Sequence, residues 1–273
     1  SAPSGGAKLA CTGHAYGCQG RFGRGRSGGV GSAEPAVSPP AHGVPFRIVS
    51  YDVLPSTQDE LRRRLEAGEG VHGLVVQAAA QSAARGRRAR DWQAGQGGSY
   101  QTLAVRCERV PPGAALVMAL GLAEVLPTYG VRAGLKWPND LLYRGKKLAG
   151  VLAEEVRGHL LVGVGLNVNN PVPEGATALR GWDPQGANMV VLEGLQRGLE
   201  HLADPAFDLG AAYRPFDLLL GQALELRVGE RLVRGTGAGV DAAGRLLLRQ
   251  GEGATPYASG RLERYGLGQR SGT

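Results

Sequence analysis

Cysteine is scarce in this chain. Cys11, Cys18 and Cys107 are the only three in 273 residues, and two of them fall near the N-terminus. That excludes a disulfide framework and implies a reducing compartment. Cys11, His14 and Cys18 have the spacing of half a zinc site, but no second ligand pair follows, and chance spacing in a tail is the plainer reading. His72, His159 and His201 match no metal-site spacing. Aromatic residues make up 5%, so core volume must come from Leu, Val and Ala. No apolar run reaches the ~20 residues of a membrane span, and the N-terminus has no secretory apolar region. The expected location is the cytoplasm. No internal repeat is visible.

Glycine and positive charge are abundant. The 45 glycines stand far above the usual share of about 7%. Net charge is +7, of which Lys8, Arg21, Arg24, Arg26 and Glu34 supply +3 within residues 1–45. The remaining mild excess suits anionic small ligands better than a dedicated nucleic-acid binder. Residues 1–44 are Gly-, Ser- and Pro-rich without apolar period, and are expected to be a disordered extension.

From Pro45 the pattern becomes regular. Phe46–Leu54 reads as a strand. Ser56 is placed to cap a helix, with Asp59 as its capping-box partner, and Gly68 and Gly70 end it. Strands are expected at Leu74–Ala80 and Tyr100–Arg106, and a helix at Pro111–Leu126 left at Pro127. Leu148–Val156 and His159–Val168 flank Arg157-Gly158 as a hairpin. Helices are expected at Val190–Leu202 and Phe207–Leu220. Beyond Gly221 come short strands at Ala223–Val228, Arg231–Val240, Arg245–Arg249 and Gly260–Tyr265, the pattern of a small barrel. The basic residues Arg231, Arg234, Arg245 and Arg249 on it read as solvation. The expected division is 1–44 extension, 45–220 catalytic domain, 221–267 barrel and 268–273 tail.

Two segments carry the chemistry. In Arg85-Gly86-Arg87-Arg88-Ala89-Arg90-Asp91-Trp92, four arginines within six residues repel one another unless anions sit among them. Guanidinium forks suit carboxylate and phosphate, Gly86 permits close backbone approach, and Trp92 can stack on a flat ring. A solvated basic loop or an RNA-binding patch is the competing reading of this segment alone. In Lys136-Trp137-Pro138-Asn139-Asp140, proline restrains its predecessor to extended backbone, so Lys136 is held near an anion site. Asn139 and Asp140 suit a turn, and Asp140 has the hard oxygen chemistry for Mg2+.

The order Ser56-Thr57, Gln81, Arg85-Gly86-Arg87-Arg88, Trp92, Lys136-Trp137-Pro138-Asn139-Asp140, Lys147-Leu148-Ala149-Gly150, then Gly163-Val164-Gly165-Leu166-Asn167-Val168-Asn169, closely resembles the biotin protein ligases over about residues 50–170. The resemblance implies an α+β (mixed α/β) fold: a central mixed β-sheet flanked by helices, plus a small C-terminal SH3-like β-barrel. It implies that biotin and ATP form biotinyl-5′-AMP, with Mg2+ as companion and no tightly bound prosthetic group. The biotinyl group then passes to one lysine of the biotin carboxyl carrier domain of acetyl-CoA carboxylase or a related carboxylase.

By the same resemblance Ser56, Thr57, Gln58, Gln81, Arg85, Gly86, Arg87, Lys136 and Gly150 line the biotin site. Arg87, Arg88, Arg90, Trp92, Lys136, Asn139, Lys147 and Asn167 lie at the nucleotide. Lys136, Arg85 and Arg87 act on the reacting carboxylate and phosphate. Two positions depart from the family pattern: Ala84 and Ala89 stand where glycine is usual. A stiffer loop with altered biotin affinity follows. Ser99-Tyr100-Gln101-Thr102 is also more polar than the family's usual strand here. The N-terminal stretch shows no helix-turn-helix pattern, so no specific DNA binding is expected. The family's members are monomers or homodimers, and both stand here. A lipoate–protein ligase is the alternative reading; a non-enzymatic basic nucleic-acid-binding module is the remote one, and it leaves Lys136 and Gln81 unexplained.

Overall fold

The computed structural model describes residues 44–87, 92–266 and the backbone of 269–270. Arg88, Ala89 and Arg90, the Cys11–His14–Cys18 spacing, nearly all of the N-terminal extension and most of the C-terminal tail lie outside the described residues.

Thirteen strands and four α-helices follow in order among the described residues: β1 (Arg47–Leu54), α1 (Thr57–Glu66), β2 (Leu74–Gln81), β3 (Ser99–Arg106), α2 (Ala114–Val125), β4 (Gly134–Lys136), β5 (Asp140–Tyr143), β6 (Lys146–Val156), β7 (His159–Leu166), α3 (Pro184–Ala203), α4 (Leu209–Tyr213), β8 (Ala223–Val228), β9 (Arg231–Val240), β10 (Leu246–Gln250), β11 (Gly253–Tyr257), β12 (Arg261–Tyr265) and β13 (Gln269–Arg270). The first seven strands form one mixed sheet in the order β1-β2-β3-β7-β6-β5-β4, with β1 and β2 parallel. The rest form an antiparallel sheet in the order β11-β10-β9-β8-β12-β13. This is the expected mixed α/β class, and the six-stranded sheet occupies the place expected of the barrel.

Strand alternation sorts the central sheet into two faces. On β7, Leu160, Val162, Val164 and Leu166 point one way into the main core with Ala149 and Val151 of β6. α2 and α3 cover that face. They approach closely because small residues meet: a methyl on Gly121 would lie 2.4 Å from the Gly194 carbonyl oxygen. The opposite face carries Leu161 with Val76 and Ala104, on which Leu61 and Leu65 of α1 pack. The main core also runs through Leu224, Leu226, Leu246 and Leu248 of the second sheet.

Most expected elements fall within a residue or two of their observed bounds. Ser56 caps α1 by accepting from Asp59 N, but the Asp59 carboxylate turns to Arg62 and Arg85 rather than back to the cap. The 157–158 turn has positive φ at both residues, the geometry that matches strand twist. The helix after Val110 ends at Val125, within a residue of its expected end, and passes into a 3-10 turn, Leu126–Tyr129, that carries proline near its start, where no amide is needed, and closes at Gly130. Three expectations need correction. α3 begins six residues earlier than expected, because Asp183 caps Gly186 N and Pro184 opens the helix. The long helix expected at 207–220 is only α4 plus a 3-10 turn ending at Phe216. There Pro215 opens the turn, and Asp217 Oδ1 caps Leu219 N instead. β4, β5, β11 and β13 were not expected; the Thr-Pro-Tyr stretch of β11 pairs at a sheet edge, where proline costs little.

Candidate active site

Cross-strand registers place one row of residues across the α1-side face of the central sheet. Tyr100 pairs with Gly165, Gly165 with Gly150, Gly150 with Asp140, and Asp140 with Lys136. Directly opposed residues share a face. Two glycines side by side leave a gap in that face, and the Trp92 indole fills it. A methyl on Gly165 would lie 2.8 Å from the indole Cε2 and Nε1, and one on Gly150 3.3 Å from Cζ3. Lys147 Nζ sits 4.9 Å from the centre of the Trp92 ring and 2.7 Å from Asp140 Oδ1. The Trp92 Nε1 donor is buried and has no hydrogen-bond partner among the described residues. Lys136 Nζ ends the row, 4.5 Å from the ring centre of Tyr265 on β12. Burial first, then the Asp140 charge, raises the Tyr265 hydroxyl above its ordinary range.

A parallel row lies two residues along: Thr102 opposite Gly163, and Gly163 opposite Leu152. The α1 N-terminus sits over it. Thr57 N and Oγ1 donate to Gln81 Oε1 at 2.7 and 3.2 Å. Thr57 and Thr102 hydroxyls bond at 2.8 Å, and Thr102 donates to Gln58 Oε1 at 3.3 Å. Gly163 makes room for Gln58, whose Oε1 lies 2.6 Å from where a methyl would stand. Gln58 Nε2 donates to Glu154 Oε2 (3.0 Å), as does Arg62 (2.7 Å). Arg85 pairs with Asp59. A cleft of about 150 Å³ opens here, lined by Ser56, Gln58, Asp59, Arg62, Arg85, Gly86, Arg87, Leu152 and Glu154.

The base of the arginine segment is stapled shut. Trp92 N donates to Ala84 O (3.1 Å) and Gln81 N to Ala94 O (2.8 Å). Ala84 is buried in a small cluster with Ala94, Tyr100 and Trp92. It is absent from the residues with positive φ, so a methyl is accommodated without strain where the family usually has glycine.

The structure therefore draws Ser56, Gln58, Arg85, Gly86 and Arg87 around one cleft, bonds Thr57 to Gln81 at the α1 N-terminus, and brings Trp92, Lys147, Gly150 and Asp140 around the gap. Three expected site residues have partners within the chain. Asn139 clips β5 to β6: its Nδ2 donates to Val151 O, and its own carbonyl accepts from Val151 N. Asn167, just after β7, is buried, with Oδ1 accepting from Asn170. Asp140 is held by Lys147, and no group of three His, Cys, Asp or Glu among the described residues could cage a metal ion. Asp140 would therefore meet Mg2+ as a single carboxylate beside substrate phosphates, not within an all-protein cage. Sequence reasoning missed Asp59, Arg62, Leu152, Glu154 and Tyr265. The period-two spacing of 150, 152 and 154 on one strand was the signal for Leu152 and Glu154. The polar 99–102 stretch explains itself by faces: Thr102 joins the site, while Gln101 bonds Asn188 on the α3 side.

The model of the Biotin/lipoate A/B protein ligase family matches residues 50–169, the stretch that builds both rows. That defines the class: ligases that attach biotin or lipoate. A biotin–[acetyl-CoA-carboxylase] ligase of Mycobacterium tuberculosis is 35% identical over 214 residues, covering 72% of this chain and 80% of the relative. The bifunctional ligase/repressor BirA of Escherichia coli is 29% identical, covering 79% and 73%. The solved biotin protein ligase of Aquifex aeolicus in complex with biotin and ATP superposes with a TM-score of 0.71 at 28% identity, over 82% of this chain and 99% of that one. The chain belongs to the biotin protein ligases.

Proposed function

We propose that this protein joins biotin to ATP, giving biotinyl-5′-AMP and pyrophosphate, and then passes the biotinyl group to a lysine of a carboxylase's biotin carboxyl carrier domain. The observation that carries the reading is the adjacency of two sites on one sheet face. A cleft under the α1 N-terminus meets a glycine gap holding an indole and a lysine. Ser56, Thr57, Gln58 and Gln81 offer both hydrogen-bond donors and acceptors to a small polar ring system, and Leu152 offers an apolar wall. Trp92, with an unpartnered indole N–H, is the stacking surface for adenine.

A carboxylate is a poor electrophile until adenylation turns it into a mixed anhydride. The protein must bring two anions together and stabilise charge on the α-phosphate. Arg85, Arg87, Lys136 and Lys147 are the cations assigned to this. Fixed cations need no reorganisation during the reaction, and removing one such group typically costs on the order of 10²–10³ in rate. Positioning supplies much of the remainder. The cleft beside Arg85 and Arg87 measures about 150 Å³. Mg2+ enters this proposal only as the companion of ATP phosphates. Among the described residues no helix is long and apolar enough to cross a membrane, and we place the reaction in the cytoplasm. We also keep the division at 220/221 as a proposal: residues beyond it form their own sheet, though the core is shared.

The test is incubation with ATP, Mg2+ and labelled biotin or lipoate, with and without carrier domain. Label moving from biotin to AMP and then to the carrier is expected, with Lys136→Ala blocking the first step. Adenylation of lipoate but not biotin would overturn the substrate assignment.

A further inference from the structure

β4 ends at Lys136, and residues far beyond it in the chain hold it in place. Leu135 O accepts from Leu218 N at 3.0 Å and from the Tyr213 hydroxyl at 3.4 Å. Leu135 also bridges to Asp217. Trp137, 1% exposed, donates Nε1 to Gly244 O at 2.9 Å. Both neighbours of Lys136 are thus fixed, and its ammonium lies 4.5 Å from the Tyr265 ring centre. Lys136, Asp140, Lys147 and Trp92 then form a continuous line of contacts and register pairs along the sheet face, with Tyr265 at its end.

A cation over an aromatic face is drawn to the ring quadrupole, so the Tyr265 ring restricts where the Lys136 ammonium sits. We propose that Tyr265, contributed by the C-terminal sheet, is a positioning residue that fixes the Lys136 ammonium for adenylation through its ring face. The second sheet is then part of the active site rather than an appendage. This rests on the reading of Lys136 as a reacting cation. The hydroxyl is not needed: burial keeps it neutral, and the contact is to the ring.

The test uses the full chain with Tyr265→Phe and Tyr265→Leu. The chain has four lysines, at 8, 136, 146 and 147, so selectively labelled lysine side chains give a simple NMR spectrum, with Lys136→Arg assigning the signal. Lys136 Cε protons are expected upfield in wild type and Tyr265→Phe, from the ring current, and at the ordinary lysine position in Tyr265→Leu. In ATP–pyrophosphate exchange, kcat/KM is expected to fall roughly 2- to 30-fold in Tyr265→Leu, and Tyr265→Phe restores it. An unshifted Lys136 signal in wild type overturns the proposal even if Tyr265→Leu fails to fold. So does Tyr265→Phe falling as far as Tyr265→Leu, which would assign the effect to the hydroxyl. A wild-type protein that forms no adenylate would sink the ligase reading, while the NMR signal still decides whether Tyr265 holds Lys136.

Discussion

Gly165→Ala isolates the role of the glycine gap. The new methyl would lie 2.8 Å from the Trp92 Cε2 and Nε1 and 3.0 Å from Cζ2. Carbon contacts settle near 3.5–4.0 Å, so the indole must lift by roughly 0.7–1 Å. It cannot do so and keep its place over Gly150, where a methyl would stand 3.3 Å from Cζ3, or beside Lys147. Base–aromatic stacking is worth about 1–3 kcal/mol, so ATP affinity is expected to fall roughly 5- to 150-fold. Biotin affinity should stay within about twofold, because Ser56, Gln58 and Leu152 belong to the neighbouring row; a twofold change is only about 0.4 kcal/mol. Calorimetric titration with ATP and with biotin separates the two. In a Trp92→Ala background the same methyl should cost almost nothing further, since the affected ring is gone. Unchanged ATP affinity, or equal losses for both ligands, would refute the assignment of Trp92 to the nucleotide.

Three further perturbations test the surroundings. Hydrogen bonds from Arg63, then Arg64 and Tyr51, lower Glu60 to about 2 against an ordinary 4.5, with burial opposing. Its stabilisation is present above pH 4.5 and is lost as pH falls from there toward 2. It amounts to at most about 3 kcal/mol, and Glu60→Gln should flatten the acid limb of stability against pH; an unaltered limb would reject this. Ala84→Gly removes a buried methyl worth about 0.8 kcal/mol and adds chain freedom worth about 0.4–1 kcal/mol. Faster hydrogen exchange at the Trp92 amide, which bonds Ala84 O, is expected together with altered biotin affinity; no change in either would mean the loop base is not stiffened there. Lys147→Ala strands the Asp140 carboxylate and removes the cation over Trp92, and pyrophosphate exchange should fall on the order of 10²–10³. Near-normal exchange would remove Lys147 from the reacting centre.

Much of the fold was readable because its signals are local. Ser56 before an apolar period, the Arg157-Gly158 turn and the alternating C-terminal strands each declare themselves within a few residues. What was misread depended on distant partners. The 207–220 stretch has helical composition, but Asp217 turns its carboxylate back to the Leu219 amide, and Leu218 N bonds Leu135 O instead of continuing a helix. Tertiary contact overrode propensity there. The same distinction divides the site. Thr57 and Gln81 were legible as motif members and do meet. Asn139 was legible too, yet its use is backbone clipping, which only the β5–β6 register reveals.

The glycines show why composition alone understated this protein. Read by position, several are made necessary by close approach. Gly150, Gly163 and Gly165 stand on one face of β6 and β7, while the residues between them on β7 belong to the buried core. The sheet is therefore fully packed on one side and gapped on the other. Trp92 fills one gap and Gln58 the other. Trp92 brings with it Lys147, whose ammonium is held between the indole and the Asp140 carboxylate. The seat of Trp92 and Lys147 on this face is set by the absence of side chains on two neighbouring strands. A single added methyl at Gly165 should disturb the chemistry more than the fold.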